Sequence, residues 1–226
     1  MVQRALRSDE EVQSSVLDEL KWDGRVLVTD VGVEVNKGVV TLTGFVDSYA
    51  KRLAAQEAAH RVVGVLDVAN DIQIRVPESL GRTDTEIAQA IRHALEWNVF
   101  VPQERVHSTV SNSLVTLTGT VDRWAQSDEA QRAVSKLSGV VSVINNIQVL
   151  PLERPAPEKV RQTIEQALAR RAEREAEHII VTVSDGEVTL SGRVQSFQEK
   201  HAVVESARHA PGVTAVWDDL TIEPGT

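Results

Sequence analysis

The chain has 226 residues, a formal net charge of −9, 42% hydrophobic residues and no cysteine. Without cysteine there is no disulfide, no thiolate nucleophile and no thiolate metal site. The acidity argues against binding that works by neutralising phosphates, so nucleic acid is not an expected partner and non-specific attraction to anionic lipid is disfavoured.

The first residues, Met1-Val2-Gln3-Arg4-Ala5-Leu6-Arg7-Ser8-Asp9-Glu10, contain no apolar run of the signal-peptide kind. The expectation is a cytoplasmic protein as written, or a periplasmic one if a leader has been removed. They lead into a helix predicted over residues 9–21, where Val12, Val16 and Leu20 form one apolar stripe. Ser8 and Glu11 have the spacing of a capping box, in which hydroxyl and carboxylate each satisfy a free backbone amide. Val31, Val33 and Val35 then alternate as a strand, and Asn36-Lys37-Gly38 supplies an antiparallel hairpin turn. The second strand reads Val40-Thr41-Leu42-Thr43-Gly44-Phe45-Val46. Its period of two puts Val40, Leu42, Gly44 and Val46 on one face. A glycine there lets another element press close, and Ala54, Ala55, Ala58 and Ala59 make the next helix thin enough to do so. That helix is predicted to start near Ser48 and end at Gly64, where a left-handed cap suits glycine, before a last strand over residues 65–74.

The whole order recurs twice. Val115-Thr116-Leu117-Thr118-Gly119-Thr120-Val121 and Val188-Thr189-Leu190-Ser191-Gly192-Arg193-Val194 repeat the second strand, so that Gly44, Gly119 and Gly192 recur at nearly equal intervals. Gly64, Gly139 and Gly212 each follow the strand glycine of their own copy at one and the same distance along the chain. The first-helix stripe returns as Ile87, Ile91, Leu95 and as Val160, Ile164, Leu168. The second copy starts on a Thr83/Glu86 box and the third on Pro157 with Glu158 near the positive end of the helix dipole. The expected fold is α+β: three tandem α-β-β-α-β modules at 8–76, 83–150 and 156–223, each a small three-stranded sheet covered on one face by two helices. Strand order is not legible from the pattern. Lys and Arg against Asp and Glu number 7 and 12, 5 and 7, and 8 and 12 in the three modules, giving −5, −2 and −4. Units this small bury only about 60% of their unfolded surface, so contacts between modules are expected. The proline-bearing links 76–82 and 151–156 are too short for free reorientation.

Gly38-Val39-Val40-Thr41-Leu42-Thr43-Gly44 and Gly186-Glu187-Val188-Thr189-Leu190-Ser191-Gly192, with the Gly64-Val65, Gly139-Val140 and Gly212-Val213 steps, resemble the BON family, named for bacterial osmotically inducible and nodulation proteins. The resemblance covers nearly the whole chain in three copies. It implies α/β modules without catalytic residues that attach to phospholipid surfaces or envelope components in osmotic-stress proteins, secretins and channels.

No reaction centre is legible. His60, His93, His107, His178, His201 and His209 do not recur at equivalent positions and lack ligand spacing, so no metal or other cofactor is expected unless residues converge from afar. Phosphate-cradling glycine loops are absent, as is the G-x-x-G of the RNA-binding KH modules that share this element order. Asn70-Asp71, Asn145-Asn146 and Asp218-Asp219 read as bulges or guarded edges rather than a cation site. Tyr49, Trp124 and Phe197 read as helix-to-sheet packing. The third copy's Arg170, Arg171 and Arg174 lie among glutamates and read as a solvated face.

The contact residues to watch follow the first helices of modules 1 and 2. Trp22 and Trp97 hold equivalent positions in their copies, followed by Val26-Leu27-Val28 and Val99-Phe100-Val101, so Trp22, Leu27, Trp97 and Phe100 are the ligand or partner contacts. They either dock into a lipid interface or partner, as amphipathic indoles do, or they cover their own small module or pack between modules, which the small size of the modules favours. The expected protein is a non-catalytic, stress-associated binder of a phospholipid surface or envelope protein. The alternative is a soluble scaffold or chaperone-like protein that binds polypeptides or self-associates.

Overall fold

The computed structural model describes residues 7–26, 30–77, 81–171 and 179–223. In the first module α1 (Asp9–Trp22) precedes β1 (Val31–Asn36), β2 (Val39–Val46) and α2 (Tyr49–His60), and the last strand comes in two pieces, β3 (Asp67–Asn70) and β4 (Gln73–Ile74). The second runs α3 (Asp84–Glu96), a short 3₁₀ turn at Gln103–Arg105, β5 (Val106–Ser111), β6 (Leu114–Val121), α4 (Trp124–Ser135) and β7 (Ser142–Val149). The third runs α5 (Pro157–Arg171), β8 (Ile180–Ser184), β9 (Glu187–Val194), α6 (Phe197–Arg208) and β10 (Ala215–Ile222). The α+β expectation holds, and strand order, which the pattern leaves open, is now fixed. The repeated strand is central in each sheet, antiparallel to the strand before it and parallel to the strand after it.

The hairpins follow from their turn residues. Asn36 pairs with Val39, so the loop is Lys37-Gly38 alone, with φ +52° and +76°. Asn112-Ser113 and Asp185-Gly186 repeat it at +51°, +63° and +49°, +84°. Two successive left-handed residues match the twist of the flanking strands. In modules 1 and 2 a carboxylate at the start of the first helix secures this turn: Asp9 accepts from the Lys37 and Gly38 amides at 2.8 and 2.9 Å, and Asp84 from Asn112 and Ser113 at the same distances. Module 3 has Pro157 at that helix start. Both capping boxes form as expected.

Each module has its own apolar core, centred on Leu42, Leu117 and Leu190 of the central strands and on the first-helix stripes. These leucines are fully buried, and truncating one such side chain to alanine costs roughly 2–5 kcal/mol.

Two expectations about glycine are corrected. The space beside Gly44 is not taken by α2. A Cβ there would stand 2.0 Å from the carbonyl oxygen of Asp30, the residue just before β1, and one at Gly119 would stand 2.0 Å from that of Arg105. The strand glycines are also in the left-handed half of backbone space, at φ +117°, +125° and +135° for Gly44, Gly119 and Gly192. A side chain is thus disfavoured by backbone conformation at all three, and at Gly44 and Gly119 also by the incoming chain. The second glycine set is not the helix cap. Gly64, Gly139 and Gly212 lie beyond the helix ends, in the turn into the last strand, at φ +100°, +89° and +88°. There they abut the start of the first helix, next to Val12 in module 1 and Ile87 in module 2, and next to Pro155 in module 3.

Candidate functional site

Trp22 closes α1 and Trp97 caps α3. They are 88% and 85% exposed, so neither covers its own module or packs between modules, and the reading that size favours is overturned. Cover comes instead from the valine one helical turn's length further along the chain: Val26 and Val101, themselves at equivalent positions, are buried in their respective cores. Val99 and Phe100 stand out beside Trp97, 89% and 70% exposed. The positions equivalent to these two are Gly24 and Arg25, so the two connectors are not alike in apolar character. Leu27, the remaining contact residue, lies outside the described residues.

Around Asp23 the first connector is ionic. Asp23 accepts from Arg25 Nε at 2.8 Å and Nη2 at 2.7 Å and from Arg61 Nη2 at 2.9 Å, while Arg25 also reaches Glu57 and Arg61 reaches Glu19. The Arg25 hydrogen bond foremost, and Arg61 after it, hold the Asp23 carboxyl well below the usual carboxylate range against the opposing effect of burial.

The last strand lies at the edge of each sheet, and the first member of its polar pair is turned to the second helix. Asn145 Nδ2 donates to Ser127 Oγ at 2.9 Å and Gln131 Oε1 at 3.0 Å on α4, while its Oδ1 accepts from the Ile147 amide at 3.1 Å. Asn70 does the same with Arg52, Gln56 and Ile72. In module 3 the clip is charged, with Asp218 paired to Lys200 at 3.1 Å. These residues lock the last strand to the second helix.

The aromatics that open the second helices do more than pack helix to sheet: Trp124 rests on the core of its own module as expected, and all three reach neighbouring modules. Tyr49 of α2 packs against the core of module 2. Trp124 of α4 lies under the Arg208 guanidinium of module 3, 4.1 Å from the ring centre, and Phe197 of α6 stacks on His60 of module 1 at 3.7 Å and 14°. Contact therefore runs from module 1 to 2, 2 to 3 and 3 back to 1, which satisfies the expectation that small modules lean on one another. Burial lowers the His60 pKa; the Asp67 charge opposes this to a smaller extent, and His201 adds to it. The recurrence of an aromatic at one position in three copies was the available signal for this ring of contacts.

A cleft of about 440 Å³ opens at the second junction, with Val99 and Phe100 on one wall and Arg123, Arg132, Asp128 and His209 on others. Beside it Asp128, Glu205 and His209 converge. Nothing in the sequence marks that convergence, since the residues equivalent to Asp128 are Leu53 and His201. Among the described residues no helix is long and apolar enough to cross a membrane.

The family model for the BON domain matches residues 8–76, 83–151 and 158–224. Osmotically-inducible protein Y of Escherichia coli (strain K12) is 31% identical over 144 residues, which is 62% of this chain and 72% of that protein. Among solved structures, the C-terminal domain of CdsD, a structural protein of the type III secretion system of Chlamydia trachomatis, aligns over 96% of this chain and all of that one, at 13% identity. Its TM-score of 0.27 is too low to equate the two arrangements. With one module matched three times along nearly its full length, this chain belongs to the BON-domain family.

Proposed function

We propose that this protein is a non-catalytic binder of the osmotic-stress response, and that it attaches to phospholipid surfaces through the exposed tryptophans of its first two modules and the apolar connector of the second. The likeness to osmotically-inducible protein Y supports the stress setting. The family is not one known to be catalytic. The observation that carries the attachment is the outward placement of Trp22 and Trp97 at equivalent positions, extended by Val99 and Phe100 in module 2. Indole suits the boundary between water and hydrocarbon, because it joins a large apolar body to one polar N–H. With a net charge of −9, attachment rests on insertion of these side chains rather than on attraction to anionic headgroups.

Flotation of the intact chain with neutral and with anionic vesicles tests the reading. Neutral vesicles should carry the protein at least as well as anionic ones, and the Trp22→Ala/Trp97→Ala variant should stay behind. No flotation of the unaltered chain discards lipid attachment. A mass that rises with concentration, lost in the same variant, would instead assign these side chains to self-association.

A further inference from the structure

Asp128 of α4 and Glu205 of α6, with His209 just past the end of α6, bring one ligand-type atom each to within 4.8 Å of one another across the junction of modules 2 and 3. His209 Nε2 stands 3.1 Å from Asp128 Oδ2 and 3.6 Å from Glu205 Oε2. A zinc ion held tetrahedrally by bonds of about 2.0–2.2 Å sets its ligand atoms roughly 3.3–3.6 Å apart. Both distances from the imidazole to a carboxylate are thus already near coordination spacing. The second oxygen of each carboxylate is taken: Arg208 donates from Nη2 to Asp128 Oδ1 at 3.0 Å and from Nη1 to Glu205 Oε1 at 3.3 Å. Arg208 is itself seated on the Trp124 ring. The guanidinium therefore orients both carboxylates from behind and leaves Oδ2 and Oε2 turned toward the imidazole, the outer-shell arrangement that tunes protein metal sites.

We propose that Asp128, Glu205 and His209 form a site for a divalent transition metal of the zinc class, which ties α4 to α6 and so module 2 to module 3. Two carboxylates against one guanidinium leave a negative charge for the dication to meet. The ion takes the place of the contact between His209 Nε2 and Asp128 Oδ2: Nε2 coordinates through its lone pair, and the neutral ring carries its one proton on Nδ1. One nitrogen and two oxygens suit zinc or cobalt, whereas magnesium and calcium prefer oxygen alone. Asp128 and His209 also line the cleft at this junction, which leaves a fourth position open to water. The metal proposal does not rest on lipid attachment, although Val99 and Phe100 line the same cleft.

The test is calorimetric titration of the metal-stripped intact chain with zinc chloride, with native mass spectrometry for stoichiometry. One ion per chain is expected at micromolar zinc, with a raised melting temperature. His209→Ala and Asp128→Asn, in different modules, should each weaken binding about tenfold or more, as loss of even an outer-shell partner does. His201→Ala should leave it unchanged. Cobalt(II) added to the unaltered chain should give the visible bands of a low-coordinate site, a readout that needs no variant to fold. No stoichiometric ion, bands of the free aqueous ion only, or zinc bound equally by His209→Ala would each overturn the proposal.

Discussion

The stretches that follow α1 and α3 begin alike and end alike, and differ in between. Each opens on an exposed tryptophan and closes on a buried valine, Val26 or Val101. Between them module 1 has Asp23-Gly24-Arg25 and module 2 has Asn98-Val99-Phe100. The first set folds back: the Asp23 side chain, only 7% exposed, gathers Arg25 and Arg61 and ties the connector to α2. In the second set, Asn98 donates one bond of 3.1 Å to the Glu129 carboxylate and accepts from the Phe100 amide, while Val99 and Phe100 face solvent. The same backbone frame thus carries a connector that holds its module together and another with apolar surface left over for a partner. Duplication permits this division, because the core residues that keep a module folded are not those that vary.

The largest effect should come from the frame the two modules share. Gly44→Ala and Gly119→Ala each force a Cβ against a carbonyl 2.0 Å away and a left-handed φ on an L residue. Each should cost about 3 kcal/mol or more, read as lost stability in thermal or urea unfolding. Similar costs at both sites would show that the frame is common property; a small cost at either would break that claim.

Next is the ionic connector. Asp23→Asn should destabilise the chain by about 2 kcal/mol at pH 7, since it leaves two arginines without their shared acceptor. Asp23 has a depressed pKa in the folded state. Its contribution is therefore complete above the unfolded value of about 3.9 and is lost as pH falls through the lower folded value. The gap between wild type and Asp23→Asn in urea unfolding should narrow below about pH 4. A gap independent of pH would mean that the carboxylate charge is not what holds the connector. Asn98→Ala, which removes one bond to a carboxylate rather than an acceptor shared by two arginines, should cost less than Asp23→Asn at pH 7.

Smallest in stability and most telling in function is Phe100→Arg, which gives module 2 the residue that module 1 carries. An exposed position should cost less than about 0.5 kcal/mol. Vesicle flotation should nevertheless fall about tenfold or more, because an inserted phenylalanine contributes on the order of 1.5–3 kcal/mol. Unchanged flotation would show that the apolar excess of the second connector is not used on lipid.

What the residues determined by themselves was whatever is local or repeats. Val12, Val16 and Leu20, the Ser8/Glu11 box and the Lys37-Gly38 turn lead to their observed elements, because periodicity, capping and left-handed turn residues act over short stretches of chain. Tertiary structure decided the rest. It gave Gly44 to the Asp30 carbonyl rather than to α2, placed Tyr49, Trp124 and Phe197 between modules, exposed Trp22 and Trp97, and brought Asp128 to His209. An indole followed by valines looks the same in sequence whether it packs inward or outward, since that depends on how much apolar surface the neighbouring valine has already covered. Asp128 and His209 are 81 residues apart in different copies, and without a matching pair elsewhere only the docking of one module on another could bring them together.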